Sequence, residues 1–153
     1  MMNKGIKFFI AILSCQFAGV FGSLFTSPNI NGWYSELAKP IFSPPNWLFG
    51  PVWISLYLLM GISLYLLWTS KRSKKAIELF VAQLIVNALW SFIFFGLQSP
   101  LLGFIWILIL LLLIIFTMIE TYKVNKVSMY ILIPYLIWVS FATILNLAIF
   151  ILN

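Results

Sequence analysis

Histidine is missing from the 153-residue sequence, and cysteine occurs once. Without histidine the chain lacks the commonest protein metal ligand, the usual axial ligand of haem iron and the most frequent general base. The single cysteine excludes a disulfide within the chain. We therefore expect no metal site, no resident cofactor and no acid–base catalysis.

Charge is also scarce, because only 8% of the residues are charged and three of them are acidic. No charged residue lies in the middle of an apolar run, where a proton relay, an ion-coupled transporter or a voltage sensor would need one. The net charge of +6 would suggest nucleic acid in a soluble protein. Here the basic residues lie between apolar runs, so we interpret the charge as membrane topology and expect no nucleic-acid partner.

Hydrophobic residues are abundant: they make up 63% of the chain, and the mean hydropathy is +1.10. A soluble domain of this size cannot bury so much apolar surface. A bilayer core takes roughly 20 apolar residues per helix. The sequence predicts an all-α integral membrane protein, a single domain over 1–153 that forms a five-transmembrane-helix bundle with a Pro/Trp-rich loop between helices 1 and 2. The predicted helices cover about 5–25, 47–69, 76–97, 101–122 and 127–152, with the loop at about 26–46.

The start of the chain imitates a signal peptide, because Lys4 and Lys7 precede an apolar run that reaches Cys15. Hydrophobicity continues to Phe25 without a break, so we interpret the run as helix 1 rather than a cleaved leader. Small residues form a stripe along this helix: Ala11, Ser14, Cys15, Ala18, Gly19, Gly22 and Ser23. Such a stripe allows another helix to approach closely. It is consistent with packing inside the protein, with a homodimer interface, or with a low wall beside a ligand.

The charge distribution predicts the orientation. With five spans, the N-terminus and the second and fourth connections share one side of the membrane. That side carries eight of the nine basic residues: Lys4, Lys7, Lys71, Arg72, Lys74, Lys75, Lys123 and Lys126. The positive-inside rule then predicts a multi-pass protein of the bacterial plasma membrane, with the N-terminus in the cytoplasm and loop 26–46 and the C-terminus outside.

Proline and tryptophan are concentrated between Trp33 and Trp53, which hold four of the seven prolines and three of the seven tryptophans. Prolines in the loop argue against helix and sheet there and favour a firm loop over one end of the bundle. Trp33, Tyr34 and Trp47 are also consistent with simple interfacial anchors.

Three predicted helices present an inward face. In helix 2, Phe49, Trp53, Tyr57 and Gly61 recur every four residues. Helix 3 has the same four-residue spacing at Gln83, Asn87 and Ser91, with Trp90 and Phe94 beside them. These polar side chains either form hydrogen bonds to neighbouring helices or line a cavity. In helix 5 the series is Pro134, Trp138, Ala142 and Asn146, with a kink expected at Pro134. Helix 4 shows no pattern, and we expect it to be the most lipid-exposed helix.

Flat aromatic faces with a few amides and hydroxyls suit a large, flat, mostly apolar ligand held by stacking. A tetrapyrrole, a sterol or a polycyclic drug would fit. Because histidine is absent, metal-free porphyrin is favoured over haem.

Several motifs together resemble the TspO/MBR family. They are Trp33-Tyr34, Leu37, Lys39-Pro40, Pro44-Pro45, Trp47, Gly50-Pro51-Val52-Trp53, Tyr57 and Met60-Gly61 around the loop, with Asn87, Trp90, Phe94-Phe95-Gly96, Pro134-Tyr135, Trp138, Phe141-Ala142-Thr143 and Leu145-Asn146 later in the chain. The resemblance implies a five-helix membrane bundle, often dimeric, with a cavity under the first loop. By position, it implies cavity residues Trp47, Trp53, Tyr57, Asn87, Trp90, Trp138, Ala142 and Asn146, to which the spacing in helix 2 adds Phe49.

The same resemblance implies binding of protoporphyrin IX, sterols, and benzodiazepine-type or isoquinoline carboxamide ligands. It also implies light-dependent porphyrin breakdown in some bacterial members, with transport and stress sensing as further roles. The tail after Asn146 departs from the family's sterol-recognition pattern, since it contains neither tyrosine nor arginine, which shifts the expectation from sterol to porphyrin.

Three hypotheses follow. In the first, light-excited porphyrin oxidises an adjacent indole, and Trp53 and Trp138 are the expected reactive tryptophans. In the second, the protein carries or senses flat lipophilic compounds without chemistry. In the third, it is a structural membrane scaffold. The expected partners are such a small molecule, membrane lipids, and a second copy of the chain through the small-residue stripe of helix 1.

Overall fold

The computed structural model describes residues 3–153, and the regular secondary structure in that range is entirely helical. The elements are α1 (Lys4–Ile30), α2 (Trp33–Glu36), α3 (Asn46–Trp68), α4 (Lys74–Ser91), a π-helical turn (Phe92–Gly96), α5 (Pro100–Val124), α6 (Lys126–Ile131) and α7 (Ile133–Leu152). Five segments are long and apolar enough to cross a membrane, with α4 and the π-helical turn forming one and α6 and α7 another. The predicted five-helix membrane fold is confirmed.

The predicted end of helix 1 is wrong. The sequence places the end near Phe25, but α1 continues to Ile30 with Pro28 inside it. Proline removes one backbone hydrogen bond and clashes with the carbonyl four residues earlier, so it ends a helix only when the chain cannot adapt. Here the Asn29 side chain donates to the carbonyl of Phe25 at 2.9 Å. The loop is correspondingly shorter than 26–46, and it contains the short helix α2.

The third and fifth membrane-spanning segments are not continuous α-helices. The N–H of Leu97 donates to the carbonyl of Phe92 at 2.9 Å, a five-residue spacing that defines the π-helical turn. That wider turn buries both Phe94 and Phe95. The fifth span is interrupted at Leu132, two residues before Pro134, which is where the sequence predicts a kink.

Side-chain contacts show which connections share an end of the bundle. The carboxylate of Glu120 pairs with Lys75 at 3.0 Å and with Lys123 at 2.8 Å, and the ammonium of Lys7 lies 5.6 Å from the ring centroid of Trp68. We call this the basic end. At the opposite, loop end, the side chain of Gln98 donates to that of Asn29. The N-terminus and the second and fourth connections therefore lie at one end of the bundle, as five alternating spans require.

Helix α1 packs against α3 and α4 through its small residues, and Ala11, Cys15, Ala18 and Gly22 are buried there. The buried part of the stripe therefore serves packing inside the protein, and Gly19, Gly22 and Ser23 also line the cavity described below. A contact between two copies of α1 would instead have to use the outer face of the helix, so the homodimer stays a prediction.

Predicted helix 4 is α5 in the structure, and the expectation that it is the most lipid-exposed helix is wrong. Only 22% of the apolar segment of α1 is buried, against 33% for α5. The reason is that α1 buries its small residues and turns its large apolar ones, such as Phe9, Leu13 and Phe17, outward.

Candidate functional site

A cavity of about 600 Å³ lies in the loop-end half of the bundle, within the size range of small-molecule sites. Its lining comes from the membrane-spanning helices and from the short helix α2. The exposed lining residues Ser23 and Ser27 on α1 and Gly50 and Ile54 on α3 show that it opens between these two helices.

The nine residues proposed from the sequence all line this cavity: Trp47, Phe49, Trp53, Tyr57, Asn87, Trp90, Trp138, Ala142 and Asn146. Trp47 is 71% exposed and lies at the rim, whereas Tyr57, Asn87 and Asn146 are buried. The structure thus brings together residues from three separate spans.

Sequence reasoning misses other lining residues. The sequence is consistent with Tyr34 as an interfacial anchor, yet this residue is buried and closes the loop side of the cavity. Phe95 lines the cavity next to Phe94 because both lie in the π-helical turn, and no pattern in the sequence predicts that turn. Ile107 and Leu110 of α5 also line the cavity, and their uniformly apolar surroundings give no periodic pattern from which to find them.

Four polar side chains are linked by hydrogen bonds across α3, α4 and α7, and two of them, Tyr57 and Asn87, form the floor of the cavity. The hydroxyl of Tyr57 donates to the Oδ1 atom of Asn87. The Nδ2 atom of Asn87 donates to the hydroxyl of Tyr135 at 2.7 Å, and that hydroxyl donates to the Oε1 atom of Gln83 at 2.8 Å. The sequence left open whether the amides of predicted helix 3, which is α4, bond neighbouring helices or line a cavity. Asn87 does both.

Aromatic rings form the walls. The ring of Trp53 lies 5.5 Å from that of Tyr57 and 6.3 Å from that of Tyr135, between centroids. The ring of Trp90 stacks on Phe94 at 5.1 Å, with 13° between the planes. Rigid aromatic surfaces of this kind favour stacking of a flat ligand.

Three lining residues carry a buried polar atom that has no hydrogen-bond partner among residues 3–153. These atoms are the hydroxyl of Tyr34, the indole Nε1 of Trp138 and the Oδ1 atom of Asn146. The Nδ2 atom of Asn146 donates to the carbonyl of Pro100 at 3.0 Å, so the amide orientation is set and its oxygen is the free atom. Since buried polar atoms are normally paired, these three are available to a bound molecule.

The loop forms the roof. The ring of Tyr34 packs edge-on against Phe49 and Phe94, and burial raises the pKa of its phenol, so the hydroxyl stays neutral. The Nδ2 atom of Asn46 donates to the carbonyl of Ile30 at 3.1 Å. The side chain of Asn153 bonds both backbone groups of Ala38, accepting from its N–H and donating to its carbonyl, each at 3.0 Å.

Asn153→Ala is expected to loosen the roof, because it removes both bonds to Ala38, and the net loss is on the order of 1 kcal/mol for each solvent-accessible bond. Hydrogen–deuterium exchange should rise in the loop but not in α5. Asn153→Asp keeps the bond from the Ala38 N–H and loses the other, so its exchange should be intermediate. Unchanged loop exchange in Asn153→Ala would show that the contact does not hold the roof.

The site carries little charge. Its lining contains no charged side chain. Over residues 3–153, no cluster of three or more histidine, cysteine or acidic residues could hold a metal ion. The chemistry available in the cavity is therefore stacking, hydrogen bonding and the redox chemistry of indole rings.

Comparison with known proteins identifies the architecture. The sequence profile of the TspO/MBR family matches residues 11–152. The chain is 43% identical over 150 residues to the tryptophan-rich protein TspO of Archaeoglobus fulgidus, with 97% of each chain covered. It is 41% identical over 157 residues to the tryptophan-rich protein TspO of Chlorobaculum tepidum, with 99% of each covered. It is 37% identical over 134 residues to the human translocator protein, covering 82% of this chain and 77% of that one. A match across nearly every residue of the five spans shows that the chain belongs to the TspO/MBR family.

Proposed function

We propose that the protein binds metal-free tetrapyrroles such as protoporphyrin IX in the cavity and promotes their light-dependent oxidative degradation. The observation that carries the proposal is the cavity itself: about 600 Å³, walled by aromatic rings, uncharged, and supplied with unpaired polar atoms on Tyr34, Trp138 and Asn146. A flat macrocycle with polar ring nitrogens matches that combination. The propionates would lie at the opening between α1 and α3, since an unpaired carboxylate is costly to bury.

Trp53 and Trp138 are the proposed reactive groups, because both line the cavity. The excited macrocycle would take one electron from an indole and return it as the product forms. Dioxygen is the oxidant and supplies the oxygen atoms of the ring-opened product. Trp138 is favoured because its N–H is free, whereas that of Trp90 donates to the carbonyl of Gly103 at 3.1 Å.

Illumination of the purified protein with protoporphyrin IX in air tests this function. We expect faster bleaching of the porphyrin than in detergent alone, and a several-fold slower rate in Trp138→Phe. Trp68→Phe is the matched control, since Trp68 lies at the basic end outside the cavity. Equal bleaching in the wild type, in Trp138→Phe and in detergent would refute the degradation, while saturable quenching of tryptophan fluorescence would still support binding.

Benzodiazepine-type and isoquinoline carboxamide ligands are proposed to occupy the same cavity, because they too are flat, aromatic and uncharged. Competition with protoporphyrin IX, followed by tryptophan fluorescence, tests this directly.

A carrier or stress-sensing receptor that moves or detects porphyrin without chemistry is the second candidate function. The opening between α1 and α3 favours it, because it connects the cavity sideways to the membrane. Several relatives, the human one among them, bear the name translocator protein. Porphyrin flux across liposomes with and without the protein separates transport from binding alone.

A further inference from the structure

The whole formal charge of the protein, +6, is at the basic end. At the loop end, Glu36 offsets Lys39. The ammonium of Lys39 also donates to the carbonyls of Ser35 and Leu37, both at 3.1 Å, and lies 5.0 Å from the ring centroid of Tyr34. The two ends therefore present very different surfaces to the two leaflets of a membrane.

Long-range contacts gather part of this charge into one place. The side chain of Asn125, at the α5–α6 junction, donates to the hydroxyl of Ser70 in the α3–α4 turn at 3.3 Å. Apart from Lys74, which pairs with Glu78 at 3.9 Å, the basic residues at these two connections form what we call the basic cluster: Lys71, Arg72, Lys75, Lys123 and Lys126.

The cluster is not neutralised within the protein. One carboxylate, that of Glu120, serves both Lys75 and Lys123, whose side chains are 72% and 60% exposed. Lys126 lies over the ring of Tyr122, at 5.2 Å from its centroid, rather than beside an acid. Lys71 and Arg72 make no salt bridge with any residue in the range 3–153.

The backbone at this turn is also strained. Arg72 adopts a φ of 59°, a left-handed conformation that costs an L-residue with a Cβ atom roughly 1–2 kcal/mol relative to glycine. Gln98 adopts a similar φ of 51° at the loop end, so the strain is a property of such turns. Replacing Arg72 with glycine is therefore expected to remove the charge and relieve the strain together.

We propose that the basic cluster binds the phosphate headgroup of anionic phospholipids such as phosphatidylglycerol. The turns at the ends of α3 and α5 place it at headgroup depth, and the surface potential of anionic lipid attracts basic residues by about 1 kcal/mol each. The partner is a lipid, because free phosphate would lack the anchoring of the acyl chains beside the apolar helices.

Thermal unfolding of the detergent-solubilised protein, followed by tryptophan fluorescence, tests the proposal. Phosphatidylglycerol should raise Tm by several degrees more than phosphatidylcholine, and the difference should shrink as salt rises. Inorganic phosphate added with phosphatidylcholine should not reproduce it. Equal effects of the two lipids, or full replacement by inorganic phosphate, would overturn lipid recognition.

The double variant Lys71→Gln/Arg72→Gly separates charge from folding. Because glycine relieves the strain, its Tm in phosphatidylcholine should match or exceed that of the wild type. The rise in Tm that phosphatidylglycerol gives beyond phosphatidylcholine should be smaller by roughly 2–4 °C for each charge removed. Lys39→Gln removes one charge at the loop end and should keep the full gain. An undiminished gain in the double variant, or an equal loss in Lys39→Gln, would contradict a specific site.

Discussion

Gly61→Val is expected to separate α1 from α3 and to cause a larger loss of stability than either Asn87→Leu or Asn153→Ala. A Cβ atom added at Gly61 would lie 2.7 Å from the Cα atom of Ile12 and 3.2 Å from the carbonyl oxygen of Ala11. Backbone atoms cannot rotate away as a side chain can, so the helices must move apart. Overpacking of this kind typically costs about 1–3 kcal/mol. Thermal unfolding in detergent measures the loss, and ligand affinity should fall with it, because α1 also lines the cavity.

Gly50→Ala is the matched control on the same helix. A Cβ atom there meets no atom within 4 Å beyond its chain neighbours. The gain in helix propensity, about 0.5–1 kcal/mol, is opposed by Pro51, because a proline disfavours helical geometry at the residue before it. We expect the control to unfold close to the wild-type temperature. Wild-type stability in Gly61→Val would show that α1 and α3 are not held together at this glycine.

Asn87→Leu is expected to have the second largest effect, because it breaks the hydrogen-bonded floor of the cavity at its centre. Leucine is similar in size but can neither accept from Tyr57 nor donate to Tyr135. A buried hydroxyl left without its partner costs about 1–3 kcal/mol, and measured bonds between membrane helices average about 0.6 kcal/mol. We therefore expect a loss of about 1–2 kcal/mol in the free energy of unfolding. Weaker porphyrin binding should accompany it.

A double-mutant cycle with Tyr57→Phe isolates the contact. In the wild type, this substitution leaves the Oδ1 atom of Asn87 unpaired. In the Asn87→Leu background it removes a hydroxyl that has already lost its acceptor, so it should recover part of the stability. The double variant should lose less than the two single variants together. Strict additivity would mean that Tyr57 and Asn87 do not interact in the folded protein.

The inward faces could be predicted because helix periodicity is a local property. Residues four apart lie on one side of a helix whatever surrounds it, which is why the sequence alone places Trp53 with Tyr57, and Trp138 with Asn146. Polar amides within apolar runs must also find partners, so Asn87 had to point inward.

The roof and the helix ends could not be predicted in the same way. Pro28 lies inside α1 rather than ending it. A proline removes one hydrogen bond, here to the carbonyl of Leu24, and whether the helix continues beyond it depends on the surrounding packing. Tyr34 has the sequence features of an interfacial anchor, and only its packing against Phe94 shows that it closes the cavity.

Composition, hydropathy and charge by themselves determined that this is a five-span helical membrane protein with basic residues at one end, because the bilayer constrains every span separately. Tertiary structure alone decided how the cavity is closed and which polar atoms stay free. The contact between Ala38 and Asn153 joins residues 115 positions apart, and the free oxygen of Asn146 exists because its amide nitrogen bonds Pro100, 46 positions away. Such pairings depend on how the helices pack against one another, and no local pattern along a single helix contains that information.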